Sequence, residues 1–162
     1  MSEGAKNIHL QFTIFKETIS ALAPDTLRSG GCVEAPPAAP KIGEMMPDKT
    51  IYAAISPDTG KPMYTTPRDA PLTRTFNQAK KYAAKLDAHG HQDWRVPTKK
   101  ELDVLFNNRA AIGGFDIGGS YPSGWYWSST SEHRWDAWDL RFSDGWPNYP
   151  FKLSHSAVRC VR

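Results

Sequence analysis

Two consecutive helix-start signals in the middle of the chain constrain its fold most. Thr75 is followed three residues on by Gln78, and Thr98 by Glu101. In each pair the hydroxyl can accept from an early helical N–H while the longer side chain reaches back to the cap residue's own N–H. Behind the first cap, Phe76, Ala79, Ala83 and Leu86 fall on one face and Lys80, Lys81 and Lys85 on the others, and Gly90 is placed to end the helix. Behind the second, Leu102, Leu105 and Phe106 form the inward face. Strand patterns flank this helical pair and do not alternate with it. Thr50–Ile55 has strand composition, Ser56-Pro57-Asp58-Thr59-Gly60 is a turn, and Lys61–Thr65 is the returning strand. Beyond Ala111, Gly113-Gly114 and Gly118-Gly119-Ser120 interrupt regular structure. After Trp125 the chain reads as short strands and loops, with Ser143-Asp144-Gly145 as a hairpin turn. Helices together, with short β segments on either side, predict an α+β fold.

Upstream, Ile8, Leu10, Phe12 and Ile14 alternate with polar residues, the period of a half-buried strand. The stretch from there to Leu22 either continues as a strand or turns helical. The apolar strip packs on its own domain or on a sister subunit, so a homo-oligomer is one expected outcome. Glu34–Pro40 is proline-rich and stiff, a connector or strap. The expected organisation is an arm and connector over residues 1–48 and a ligand-binding domain over 49–162.

Bulk properties exclude several classes. Twenty basic and seventeen acidic side chains give a net charge of +3, without a run of four Lys/Arg, which argues against nucleic acid. No stretch approaches the length of a membrane span, and the first residues lack the pattern of a secretory signal. Cytoplasm, a phage virion or non-classical export are the expected locations. Cys32 and Cys160 read as buried thiols more readily than as a pair, and no Cys/His cluster has zinc spacing. Neither a metal nor a cofactor is expected. Six tryptophans exceed what the core requires, so some are expected at the surface for contact.

Three spaced blocks carry a family pattern: Asp93-Trp94-Arg95-Val96-Pro97-Thr98 to Leu102; Gly124-Trp125-Tyr126-Trp127-Ser128-Ser129; and Ala137-Trp138 through Arg141-Phe142-Ser143-Asp144-Gly145 to Val158-Arg159-Cys160-Val161-Arg162. Together, over roughly residues 49–162, they resemble the bacterial and phage domain family of unknown function DUF1566, which has a C-type lectin-like fold. The resemblance implies two helices, a small distorted antiparallel sheet, and a first strand near Ile51 paired with a final strand near Val158. Some relatives with this fold are variable proteins of diversity-generating retroelements, in which an error-prone reverse transcriptase rewrites adenines so that outward-pointing side chains vary on a static scaffold. The C-terminal segment has that texture. Trp127, Ser128, Ala137, Trp138, Phe142, Gly145, Arg159 and Cys160 look fixed, and chemically miscellaneous residues interleave with them.

A ligand-binding surface is therefore expected from Glu132, His133, Arg134, Trp135, Asp136, Asp139, Trp146, Asn148, Tyr149, Phe151, Lys152, Leu153 and His155, many of them residue types that dominate binding hot spots. The expected partner is a protein or another cell-surface ligand, and the expected mode is recognition without catalysis. Trp125, Trp127 and Trp138 are assigned to the core or its rim. Two alternatives stay open: a non-diversified adhesive or structural domain of the same family, and an enzyme related to the formylglycine-generating enzymes. The latter would draw on Cys160, conceivably with His155, where a buried thiol and a surface imidazole are the plainer reading. Calcium-dependent sugar binding is disfavoured: Trp146-Pro147-Asn148 lacks the acid of the familiar Glu-Pro-Asn triplet, and the following Trp-Asn-Asp is missing.

Overall fold

The computed structural model describes residues 38–162. The expected N-terminal strand at Ile8–Ile14, most of the connector and Cys32 lie outside them. In chain order the elements are β1 (Ile51–Ile55), β2 (Pro62–Thr65), α1 (Phe76–Lys85), α2 (Lys99–Asn107), α3 (Arg109–Ile112), β3 (Trp125–Ser131), β4 (Ala137–Arg141) and β5 (Pro147–Asn148). The fold is α+β. β1 and β2 form one antiparallel pair, and β3, β4 and β5 form a second antiparallel sheet in that order.

The predicted caps hold the helices. Gln78 Oε1 accepts from the Thr75 N–H at 3.1 Å. At α2 the box is reciprocal: Glu101 N–H donates to Thr98 Oγ1, and Thr98 N–H donates to Glu101 Oε2. Gly90 does not end α1. The helix stops at Lys85 because Leu86 is already extended, and Gly90, at φ +77°, turns the chain between the bridged residues Ala88 and His91. Turn chemistry of Gly90 was legible, but its distance from the helix end was not.

The terminal segment 156–162 is the seam of the domain. Successive residues point to opposite sides of an extended chain. Ala157 and Val161 accordingly join Leu102, Leu105, Tyr126 and Phe142 in one core cluster, while Val158 and Cys160 join Phe76, Ala79, Trp94 and Trp127 in another. Pairing along this seam differs from what the resemblance implied. Ile51 pairs with Thr65 and Met45, and it is Thr65 and Arg95 that bridge to Val161, with Tyr126 bridging to Ala157. The returning strand of the first hairpin comes between β1 and the C-terminus, so β1 meets residues 43–46 on its other edge.

Arg159, fully buried, locks the seam. Its Nε donates to Asp69 Oδ1 at 2.7 Å, its Nη1 to Thr66 O at 2.7 Å and its Nη2 to Gly114 O at 2.5 Å, and the guanidinium stacks on Phe115. Asp69 also accepts from the Tyr126 hydroxyl at 2.6 Å. A buried charge needs this degree of satisfaction. The glycine loop that looked like an interruption is one wall of the cage. A Cβ on Gly114, at φ +72°, would lie 2.4 Å from the Pro67 carbonyl oxygen.

Candidate functional site

β3 and β4 build the site from inside out. On β3, Tyr126, Trp127 and Ser128 are buried; on β4, Ala137, Trp138, Asp139 and Leu140 are buried. Trp127 is gripped edge-on by Phe76 and donates its Nε1–H to Arg74 O at 2.7 Å. From this immobile pair the chain leaves twice, through the 132–136 turn between the strands and through residues 146–155 after β4. Register places the second excursion along the first: Asp139 pairs with Asn148, Leu140 with Pro147, and Asp136 with Phe151. Ala137 N–H donates to Pro150 O at 3.2 Å and Lys152 N–H to Trp135 O at 2.8 Å. Lys152 Nζ adds two side-chain bonds across the gap, to His133 O at 2.8 Å and Arg134 O at 3.0 Å. The irregular segments are thus tied to the frame and to one another. Pro147 and Pro150 lack N–H groups, which blunts the sheet edge as a template for further strand pairing.

On this scaffold the large apolar side chains face solvent. Trp135 is 65% exposed, Trp146 63%, Phe151 68%, Leu153 83% and Tyr149 46%. Arg134, Trp135, Phe151, Lys152 and Leu153 line one cavity of about 350 Å³, together with Asn77 from α1. Asn77 was not anticipated. It sits on the outward side of a helix, where nothing in its sequence neighbourhood marks it, and only the docking of residues 151–154 against the start of α1 brings it in, Phe76 N–H donating to Lys152 O at 3.0 Å. Glu132, His133 and His155 are exposed beside the cavity residues in the chain but do not line it, and Asp136 is half-buried with its backbone engaged in the turn. Trp146 and Asn148 lie further along β4, Trp146 O accepting from Arg141 N–H at 3.0 Å. The expected surface is therefore a strip along a strand, with its cavity at one end.

Two members of the expected set need correction or refinement. Asp139 is not on the surface at all. It is fully buried in the middle of β4, where Ser156 Oγ donates to its Oδ2 at 3.0 Å and, among the described residues, none hydrogen-bonds to Oδ1. Burial pushes its carboxyl up to about 7, against the opposing pull of the Ser156 hydrogen bond. Both faces of β4 are covered at this point, and Ser156 approaches on the side of the carboxyl. Tyr149 is half structural: its ring packs edge-on against Trp138 at 4.7 Å between centroids. The same indole carries Lys99, whose Nζ lies 3.4 Å from the ring centroid.

Cys160 lies in the core among Phe76, Trp94 and Trp127, and burial pushes its thiol up to about 12. A reactive thiolate needs the reverse environment. His155 is exposed. Elsewhere, a cleft of about 470 Å³ runs past Asp58, Lys80, Arg95, Thr98 and Glu101. Its acidic groups and Arg95 are committed to structure. Glu101 accepts from Arg95 at 2.5 and 2.7 Å and from Ser56 Oγ at 2.6 Å, and although burial works against its charge these partners hold the carboxyl at about 2. Thr98 Oγ1 donates to Asp58, which also faces Lys100. Among the described residues no three His, Cys, Asp or Glu side chains gather as a metal site would require, and no helix is long and apolar enough to cross a membrane.

The chain belongs to the Lcl C-terminal domain family, whose sequence model matches residues 53–162. The match begins inside β1 and runs through the whole site. No curated protein matches the chain.

Proposed function

We propose that this domain is a recognition module: a C-type lectin-like scaffold that presents its C-terminal strip, Glu132–Asp136 and Trp146–His155, to a partner protein, and that it is the variable protein of a diversity-generating retroelement. The observation that carries the reading is a contrast within one hairpin. The frame residues Trp127, Ala137, Trp138 and Phe142 are buried, while Trp135, Trp146, Phe151 and Leu153 expose most of their surface although backbone bonds hold Trp135, Trp146 and Phe151 in place. Large apolar groups kept in water on a preorganised support are what a binding surface needs: contact area is available and little ordering entropy remains to be lost. Membership of the Lcl C-terminal domain family and the resemblance to DUF1566 domains support a variable or adhesive role.

Sequencing the gene and its surroundings in several isolates tests this. The reading expects substitutions clustered in codons 132–135, 146–149 and 151–155, absent from the codons of Trp127, Asp139 and Arg159, with a reverse transcriptase and a near-copy of the segment nearby. Substitutions spread evenly over the domain, or an invariant segment with no repeat, would end the diversification claim and leave a fixed-specificity adhesive domain.

A further inference from the structure

The cavity at the end of the strip has a definite chemistry. Its walls are the rings of Trp135 and Phe151 and the Leu153 side chain; its polar groups are Arg134, Lys152 and the Asn77 amide, and no carboxylate lines it. Arg134 makes no side-chain hydrogen bond or ion pair among the described residues, and its guanidinium lies 4.7 Å from the centre of the Trp135 ring. Lys152 spends two of its three donors on the carbonyls of His133 and Arg134, which fixes its charge at the rim and leaves one donor over. Lys80, on the next turn of α1 from Asn77, stands over the same Phe76 ring that Lys152 approaches, at 5.3 and 5.5 Å. The result is an apolar socket of side-chain size with a cationic rim and cross-braced walls.

Resting on the recognition reading above, we propose that this socket receives an acidic peptide segment of the partner, with a large apolar or aromatic side chain seated between Trp135, Phe151 and Leu153 and flanking Asp or Glu side chains on Arg134 and Lys152. The apolar walls select for a side chain over a purely polar polyanion, and the rim selects for acidic neighbours. A planar guanidinium presents paired donors to a carboxylate. Charge complementarity of this kind sets specificity and on-rate more than raw affinity.

The test is selection from a random linear-peptide library displayed on phage against the full chain, with synthesised winners measured by fluorescence anisotropy on the wild type and on Trp135→Ala, Trp146→Ala and Arg134→Glu. The proposal expects winners that join one aromatic or large aliphatic residue to two or more acidic neighbours, and that lose about tenfold or more in affinity on Trp135→Ala and on Arg134→Glu. Basic or neutral winners that still depend on Trp135 or Trp146 overturn the acidic-segment inference and leave the recognition reading intact. Winners indifferent to all three substitutions overturn both. A library that enriches nothing also overturns the inference, since a braced socket for a linear segment must capture some member.

Discussion

Trp127 and Trp135 leave the same strand–turn–strand unit with opposite surroundings. Trp127 is fully enclosed, its ring against Phe76 and its N–H on the Arg74 carbonyl; Trp135 has 65% of its surface in water, with its backbone carbonyl bonded to Lys152 N–H and its ring beside the Arg134 guanidinium. The same residue type serves as a core pillar in one place and as an unspent contact group in the other. What separates them is register. Trp127 lies in register opposite Asp139, where two antiparallel strands pair and both faces are covered, whereas Trp135 lies beyond the paired stretch, in the turn between Ser131 and Ala137.

If the frame is the fold, Trp127→Ala or Phe142→Ala should cost about 3–5 kcal/mol, visible as a large drop in the denaturation midpoint. Arg159→Met should cost a comparable amount, about 3–5 kcal/mol, because Asp69 loses its ion-pair partner and the Thr66 and Gly114 carbonyls lose their donor at a buried site. Asp139 gives the comparison a pH axis. Its folded carboxyl sits at about 7, above the ordinary range, so the fold holds a proton that the unfolded chain has already released. Its contribution is full below about pH 4 and is lost as pH rises through 7, at a slope of at most about 1.4 kcal/mol per pH unit. Asp139→Asn should flatten that part of the stability–pH curve; an unchanged slope would show that the carboxyl is not the group responsible. Tyr149→Ala should cost about 1 kcal/mol, the value of its edge-on contact with Trp138, and so falls between frame and strip. Trp135→Ala and Leu153→Ala should stay within about 0.5 kcal/mol of the parent in urea denaturation.

Local chemistry made much of this visible in the sequence. Thr98 and Glu101 announced α2 because a capping box is satisfied within four residues, and Ser56–Gly60 announced its turn for the same reason. The exposure of Trp135 and Trp146 and the burial of Trp127 followed from the contrast between regular and irregular segments. Properties that depend on partners far along the chain were illegible. Asp139 looked like a surface acid because carboxylates usually are, and only the pairing of β4 with β5 and the approach of Ser156 bury it. The route of the C-terminal seam depended on which strand of the first hairpin lies inside, which strand composition does not encode. Asn77 belongs to the cavity through tertiary docking alone.

Side chains of the strip should be replaceable without loss of the frame. The most direct measurement is saturation mutagenesis of residues 125–162, with protease resistance of the displayed domain as the readout for folding. Arg134, Trp135, Trp146, Phe151 and Leu153 should accept nearly every residue type, polar ones included, while Trp127, Asp139, Phe142, Val158 and Arg159 should accept almost none. If substitutions at Trp135, Trp146 and Phe151 unfold the domain as readily as those at Trp127, these side chains are structural and the separation of surface from scaffold is wrong.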